Sequence, residues 1–221
     1  MCKMQMRELG DWMIREKKPE GEGLHRMLLM VHGWTGDENS MEVFAMRIPV
    51  QYWLVAPRGI YTSPLGGYSW YKDQGKAWPW VDDFRPAIEA LFELLQPDYF
   101  PDVSLEKIDW MGFSQGAALV YALAFYYPHR VRKLACLAGF LPEGCEALAR
   151  NQPLKGKRVF VAHGSLDERV PVEKGRHSVS VLQEAGGEVT YCEAEVGHKL
   201  SAGCFGSLTE FFASSERQIG T

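Results

Sequence analysis

Short apolar runs and amphipathic segments alternate along the chain, and each type predicts a different element. Residues 27–31 read Met-Leu-Leu-Met-Val, a continuous apolar run typical of a strand that is covered on both faces. Residues 83–96 instead repeat apolar side chains at helical spacing after the acidic pair Asp82 and Asp83, which suits a helix N-terminus. The full pattern predicts strands at residues 11–15, 25–31, 52–55, 107–111, 132–137, 158–162 and 188–192, and helices at residues 40–46, 83–96, 115–127, 172–185 and 201–213.

This alternation of strands and helices predicts an α/β fold, a three-layer sandwich with a mostly parallel central sheet and helices on both faces. The sequence shows no internal repeat or domain boundary, so residues 1–221 are expected to form a single domain without a separate lid. Residues 1–24 are expected to give an N-terminal strand and turn, and residues 58–82 an aromatic-rich loop. Ligands of such sheets bind at the carboxyl ends of the strands, so we expect the catalytic residues in the loops that follow strands.

Composition and charge narrow the function classes. Apolar residues make up 46% and charged residues 24% of the chain, which are ordinary globular values. The net charge of −4 argues against nucleic acid as a partner. No apolar run is long enough for a signal peptide or a membrane span, so a cytoplasmic protein without stable membrane insertion is expected.

The cysteines and the short motifs indicate neither a metal site nor a cofactor. The chain has five cysteines, and no two of them have CxxC spacing. The odd number and the spacing disfavour both a disulfide framework and a zinc site, so partly buried, reduced thiols are expected. S-acylation of Cys2 is an alternative for that residue. No organic cofactor is expected, because HExxH, P-loop and complete GxGxxG motifs are missing from the sequence.

A Gly-x-Ser-x-Gly motif carries the first candidate catalytic residue. Gly112-Phe113-Ser114-Gln115-Gly116 lies between a predicted strand and a predicted buried helix. A nucleophile displayed on such a sharp turn needs a strained backbone, and glycines on both sides remove collisions with the neighbouring strand and helix. We therefore predict that Ser114 is a nucleophile. The alternative is an ordinary serine in a glycine-rich turn.

A serine hydroxyl needs a base, and that base needs an acid to fix its tautomer. In hydrolases with this motif the acid follows the serine in sequence and the histidine comes last. Of the six histidines, only His198 follows the last predicted strand, and we predict that it is the base. His32 and His163 precede glycines at strand ends and are expected to order loops through hydrogen bonds. Asp167 is the predicted acid, and the adjacent Glu168 is its rival.

An oxyanion that develops during acyl transfer needs two backbone N–H donors. One donor is expected from Gln115, the residue after the nucleophile. The other is expected from Trp34, in the loop that reads His-Gly-Trp-Thr-Gly-Asp after the 25–31 strand. Glycines in that loop allow its backbone to approach a substrate.

Aromatic side chains of the 58–82 loop are the candidate wall of a substrate pocket. The predicted wall consists of Tyr68, Trp70, Tyr71, Trp78, Trp80 and, from a later loop, Phe140. Apolar walls with few polar groups are usual for small-ligand sites. Two alternatives stay open. The aromatic residues could instead pack the loop onto the body as a satellite core, or residues 78–80 could insert into a membrane surface.

Together these motifs resemble the α/β-hydrolase fold and, more narrowly, the phospholipase/carboxylesterase family of small esterases, which includes the acyl-protein thioesterases. The matching segments, in family order, are residues 32–39, 56–59, 66–71, 112–116, 164–167, 170–171 and 197–198. The resemblance implies that Ser114, Asp167 and His198 form a catalytic triad. It also implies that the amides of Trp34 and Gln115 form an oxyanion hole.

The resemblance further implies hydrolysis of a small-molecule carboxylic ester, with a short to medium acyl chain, through an acyl-enzyme on Ser114. Thioesterases of the family usually carry a HGxGD-type loop, whereas an extra residue here gives His-Gly-Trp-Thr-Gly-Asp, which favours an esterase. An acyl thioesterase or a lysophospholipase is the alternative of the same class, and a non-catalytic binding protein on a hydrolase fold is the alternative of another class. The sequence does not fix the oligomeric state, and a homodimer is one option.

Overall fold

The central sheet of the molecule is mostly parallel. The computed structural model describes residues 3–72, 75 and 77–214. Its strands are β1 (Gln5–Leu9), β2 (Trp12–Lys17), β3 (Arg26–Val31), β4 (Tyr52–Pro57), β5 (Tyr61–Thr62), β6 (Tyr68–Ser69), β7 (Ile108–Phe113), β8 (Val131–Leu137), β9 (Arg158–Gly164) and β10 (Glu188–Ala194). The 8-stranded sheet has the order β1-β2-β4-β3-β7-β8-β9-β10, while β5 and β6 form a separate small hairpin. From β4 to β10 all neighbours in this order pair in parallel, and the β1–β2 hairpin joins β4 antiparallel.

Helices cover both faces of this sheet. They are α1 (Glu42–Ala45), α2 (Arg85–Leu94), α3 (Gln115–Tyr126), α4 (Cys145–Ala149), α5 (Val172–Glu184) and α6 (Ala202–Ala213). Successive strand residues point to opposite faces, so Leu29 packs in the cluster that contains α2, α3 and α5, whereas Leu28 packs with α1 and α6. Within the described ranges, no helix is both long and apolar enough to cross a bilayer. The predicted three-layer α/β architecture is confirmed.

The hydrophobic pattern missed several short parts of the described structure: β1, the β5–β6 hairpin, α4 and the 3-10 turns at Val81–Phe84 and Pro128–Arg130. β1 is an edge strand whose residues are largely exposed, so it lacks the apolar run of a buried strand. The hairpin strands have two residues each and α4 has five, which is too short for a periodic pattern. All the predicted strands and helices are present, and their bounds differ from the predicted ones by no more than two residues.

Cys192 and Cys204 form a disulfide between β10 and α6, so the expectation of reduced thiols is wrong for this pair. The chain leaves β10, turns and returns into α6, which places the two Cα atoms 5.7 Å apart, within bridging distance. Cys136 and Cys145 are buried and unbridged, as expected. Cys2 lies outside the described residues.

Candidate active site

Ser114 lies on a tight turn between β7 and α3. Its backbone has a φ of 55° and a ψ of −117°, a conformation that costs energy for a residue with a side chain. A Cβ on Gly112 would overlap the backbone of Gly116, and a Cβ on Gly116 would overlap the carbonyl oxygen of Val31. The Ser114 N–H donates to the Leu137 carbonyl at 2.9 Å, which fixes the turn against β8. Close packing and this hydrogen bond therefore hold Ser114 in its strained conformation.

His198 and Asp167, which follow β10 and β9, are hydrogen-bonded to each other. Asp167 Oδ2 lies 2.7 Å from His198 Nδ1, while Oδ1 accepts from the N–H groups of Arg169 and Val170, both at 2.9 Å. Asp167 is buried and its rival, Glu168, is exposed. Because a carboxylate accepts from Nδ1, that nitrogen carries the proton and Nε2 remains as an acceptor. The loop after β9 thus directs Asp167, and not its neighbour, toward His198.

Two further histidines order nearby loops, which confirms the role expected from their positions. His32 Nε2 accepts from the Gly59 N–H at 2.9 Å, and its Nδ1 donates to the Gly33 carbonyl at 2.7 Å. Burial lowers the pKa of His32, which keeps the ring neutral, as an accepting Nε2 requires. His163 Nε2 lies 2.8 Å from the Val170 carbonyl and donates to it, which fastens the loop after β9.

The turn after β3 lies directly against the nucleophile. A Cβ built on Gly33 would be 3.2 Å from the Cβ of Ser114, so the two segments touch. The turn closes through a hydrogen bond of 3.0 Å from the Gly36 N–H to the Gly33 carbonyl, which does not involve the Trp34 amide. Gln115 is the first residue of α3, so its N–H has no carbonyl one turn earlier within the helix. Both amides predicted as oxyanion donors therefore belong to segments that border Ser114.

One cavity of about 620 Å³, which we call cavity A, is lined by Ser114 and His198 together with the turn after β3. Its lining consists of Gly33, Trp34, Tyr71, Ala77, Trp78, Pro79, Phe113, Ser114, Gln115, Phe140, Arg169, Val170 and His198. Three predicted wall residues, Tyr71, Trp78 and Phe140, are among them, and the ring centroids of Trp78 and Phe140 are 4.7 Å apart. The volume is typical of a small-ligand site. Arg169 and Val170 were not predicted as lining residues, although their place close after Asp167 was an available signal.

The other three predicted wall residues, Tyr68, Trp70 and Trp80, do not line cavity A. Trp70 is fully buried, and its Nε1 donates to the His32 carbonyl at 2.9 Å. The Tyr68 ring lies under the Arg58 guanidinium, with 4.7 Å between the ring centroid and Arg58 Cζ. Trp80 is 48% exposed, outside the cavity. Trp70 therefore packs the loop onto the body of the domain, which is the satellite-core alternative for this residue.

The Gln115 side chain has a role that was not predicted. Its Oε1 accepts from the backbone N–H of Trp70 at 2.9 Å, and its amide group also hydrogen-bonds the Ser69 hydroxyl. The backbone N–H of Thr35 donates to the Tyr68 carbonyl at 3.0 Å. The aromatic loop is therefore attached both to the nucleophile turn and to the turn after β3. A polar residue at the start of an otherwise apolar helix was the signal that could have revealed this link.

Comparison with known proteins now identifies the family. The model of the phospholipase/carboxylesterase family matches residues 16–215. The chain belongs to this family. A curated relative, acyl-protein thioesterase 1 of Kluyveromyces lactis, is 30% identical over 98 residues, a match that covers 43% of this chain and 42% of the relative. The chain is thus a member of a family of esterase- and thioesterase-type hydrolases.

Solved structures of similar proteins cover nearly the whole chain. The Bacillus cereus carboxylesterase has a TM-score of 0.80 at 21% identity, covering 92% of this chain and 94% of that chain. The Mesorhizobium loti carboxylesterase has a TM-score of 0.78 at 22% identity, and the match covers 95% of this chain and 99% of that chain. Acyl-protein thioesterase 2 of Zea mays has a TM-score of 0.72 at 19% identity, and the match covers 90% of this chain and 96% of that chain. At these identities the likeness establishes the α/β-hydrolase fold and leaves the substrate open.

Proposed function

We propose that this family member is a serine carboxylesterase that cleaves short- to medium-chain carboxylic esters of small molecules through an acyl-enzyme on Ser114. The observation that supports the proposal is that Ser114 and His198 line the same cavity, while Asp167 is hydrogen-bonded to His198 Nδ1. The three residues follow β7, β9 and β10, in the order of nucleophile, acid and base that hydrolases with this motif use.

In the first half-reaction, Ser114 Oγ attacks the ester carbonyl carbon while His198 Nε2 takes the hydroxyl proton. Asp167 holds the Nδ1–H tautomer and stabilises the imidazolium that forms. The carbonyl oxygen becomes negative and accepts from the backbone N–H groups of Trp34 and Gln115. When the tetrahedral intermediate collapses, the bond to the alkoxy oxygen breaks and the alcohol leaves with the proton from His198.

In the second half-reaction, water replaces the alcohol. His198 removes a proton from the water, whose oxygen attacks the acyl carbon, and the carboxylic acid leaves as Ser114 regains its proton. Cavity A holds the acyl chain throughout, because that chain stays bonded to Ser114. Its volume of about 620 Å³ suits a chain of short to medium length.

A fluorophosphonate probe, which reacts with activated serines, tests the nucleophile directly. We expect it to label Ser114 in the folded protein, and we expect Ser114→Ala to lose both the label and about 10⁶-fold in kcat. Ser104→Ala is the matched control, because Ser104 is an exposed serine near the start of β3, away from cavity A. Folded protein that takes up no label would favour the non-catalytic binding protein.

A thioesterase remains the second candidate because the curated relative is an acyl-protein thioesterase. Hydrolysis rates for short aryl esters and for long-chain acyl thioesters separate the two activities. We expect kcat/KM to be higher for the esters. Faster turnover of the thioesters would replace the carboxylesterase proposal with the thioesterase.

A further inference from the structure

A second cavity adjoins cavity A. This space, which we call cavity B, has a volume of about 550 Å³. Its lining consists of Gly33, Trp34, Thr35, Gly36, Ser40, Met41, Val43, Phe44, Phe113, Lys199, Leu200 and Phe205. Gly33, Trp34 and Phe113 line both cavities, so they form a shared wall beside Ser114. A substrate that lies across this wall can extend into both spaces.

The chemistry of cavity B suits an apolar group. Its apolar lining consists of Met41, Val43, Phe44, Phe113, Leu200 and Phe205. The Phe44 ring packs between two of these, with centroid distances of 5.8 Å to Phe113 and 5.6 Å to Phe205. Lys199 is exposed, so its charge can remain in solvent. Val43 is 51% exposed, so the cavity opens to the surface and can admit a group longer than its own depth.

The proposed mechanism decides which half of an ester each cavity receives. The acyl half stays bonded to Ser114, which lines cavity A together with Gln115 and His198, whereas none of these three residues lines cavity B. The leaving alcohol must take its proton from His198. The Phe113 ring, part of the shared wall, lies 5.0 Å from the His198 ring, and the two residues after His198 line cavity B. His198 itself faces cavity A, but its side of that cavity borders cavity B, so an alcohol group that extends past His198 and Phe113 enters cavity B.

We propose that cavity B is the binding site for the alcohol half, so that the preferred substrates are esters with an apolar group on both sides of the carbonyl. This inference rests on the proposed function. Burial of one methylene group contributes about 0.8 kcal/mol, which is a factor of about four in an equilibrium constant. If part of that energy is retained in the transition state, kcat/KM should rise about two- to fourfold for each methylene added to a short alcohol, until cavity B is filled.

Two ester series test the proposal. The first series keeps an acetyl group and lengthens a linear primary alcohol from ethyl to octyl. The second keeps ethyl alcohol and lengthens the acyl chain from two to eight carbons. With the native protein we expect kcat/KM to rise along both series. A flat alcohol series beside a rising acyl series would overturn the proposal and leave the carboxylesterase activity standing.

Two matched substitutions assign each series to its cavity. Val43→Trp adds bulk to the lining of cavity B, and Ala77→Trp adds it to cavity A, and both positions are exposed enough to accept a larger side chain. We expect Val43→Trp to flatten the alcohol series, with at least a tenfold lower kcat/KM for octyl acetate, and to retain the dependence on acyl length. Ala77→Trp should do the reverse. Equal losses in both series from each variant would contradict separate subsites.

A third measurement does not depend on those variants. Primary alcohols added to the native protein should inhibit hydrolysis of ethyl acetate competitively, and octanol should inhibit more strongly than butanol because it fills more of cavity B. Equal inhibition by the two alcohols would overturn the proposal. A protein that hydrolyses neither series and takes up no fluorophosphonate would instead refute the proposed function itself.

Discussion

The nucleophile turn, residues 112–116, and the aromatic loop, residues 58–82, border the same cavity but are held by different contacts. In the turn, backbone packs against backbone, so that a Cβ at either flanking glycine would overlap a neighbouring chain segment. In the loop, the buried hydrogen bonds of Trp70 to His32 and to Gln115 hold one segment. Other parts, such as Trp80, remain half exposed.

Because of this difference, we expect the turn and the loop to tolerate amino-acid substitutions to different degrees. Steric overlap of backbone atoms cannot be relieved by a rotamer change, so the turn should accept almost no substitution at its glycines. A loop held by a few hydrogen bonds loses about 1–3 kcal/mol when one buried partner is removed, and the rest of the protein remains folded. In the proposed function, the turn therefore fixes the nucleophile, and the loop is the part in which substrate preference can vary.

Gly116→Ala should have the largest effect on stability. Its Cβ would overlap the backbone of β3 at Val31, and we expect a loss of more than about 4 kcal/mol in the free energy of unfolding, or no folded protein at all. Gly206→Ala is the control, because Gly206 lies in α6 with open space around its Cα, and alanine there should be neutral or stabilising by up to about 1 kcal/mol. Urea unfolding measures both, and an unchanged midpoint for Gly116→Ala would contradict the steric argument.

The turn could be predicted from sequence because all its determinants are local. A buried strand, a Gly-x-Ser-x-Gly motif and an apolar helix follow one another within about twenty residues, and each has a physical reason to be there. The order of the proposed acid and base can also be read from the chain. Between Asp167 and Glu168, the structure shows which carboxylate the loop turns inward: Asp167 Oδ1 accepts from the amides of Arg169 and Val170.

What the sequence could not predict depends on contacts between distant segments. The disulfide between Cys192 and Cys204 forms because β10 and α6 meet in space, whereas the odd number of cysteines had favoured reduced thiols. Six aromatic residues were equivalent on the basis of composition, yet the fold buries Trp70 beside His32, exposes Trp80 and directs Trp78 into cavity A. Such differences between neighbours of the same type are set by tertiary packing and leave no periodic signal.

Gln115→Met should have an intermediate effect and tests the link between the two regions. Methionine has a similar size, retains the backbone N–H and removes the acceptor of the Trp70 N–H. We expect a loss of about 1–3 kcal/mol in stability, because a buried donor is left unpaired, and about a tenfold lower kcat/KM, because Tyr71 lies in the released loop. Gln96→Met is the control at an exposed position, and an unchanged kcat/KM for Gln115→Met would show that the link does not affect the site.

Trp78→Ala and Trp80→Ala should have the smallest and most selective effects, since they change the loop without loosening it. Trp78 lines cavity A beside Phe140, so its loss should lower kcat/KM about tenfold for an octanoyl ester and much less for an acetyl ester, which does not reach the indole. Trp80 lies outside the cavity and should change either rate by less than about twofold.

The same pair of variants decides between a cavity wall and a membrane anchor. If residues 78–80 insert into a membrane surface, the exposed Trp80 should dominate, and Trp80→Ala should weaken cosedimentation with anionic vesicles while esterase activity in solution is unchanged. If the loop forms the cavity wall, Trp78→Ala should change the acyl-chain preference, and neither variant should alter vesicle binding. The half-buried Trp78 ring packs against Phe140, and the Lys174 Nζ lies 4.6 Å from its centroid; these contacts hold the indole within the fold, which favours the cavity wall over insertion.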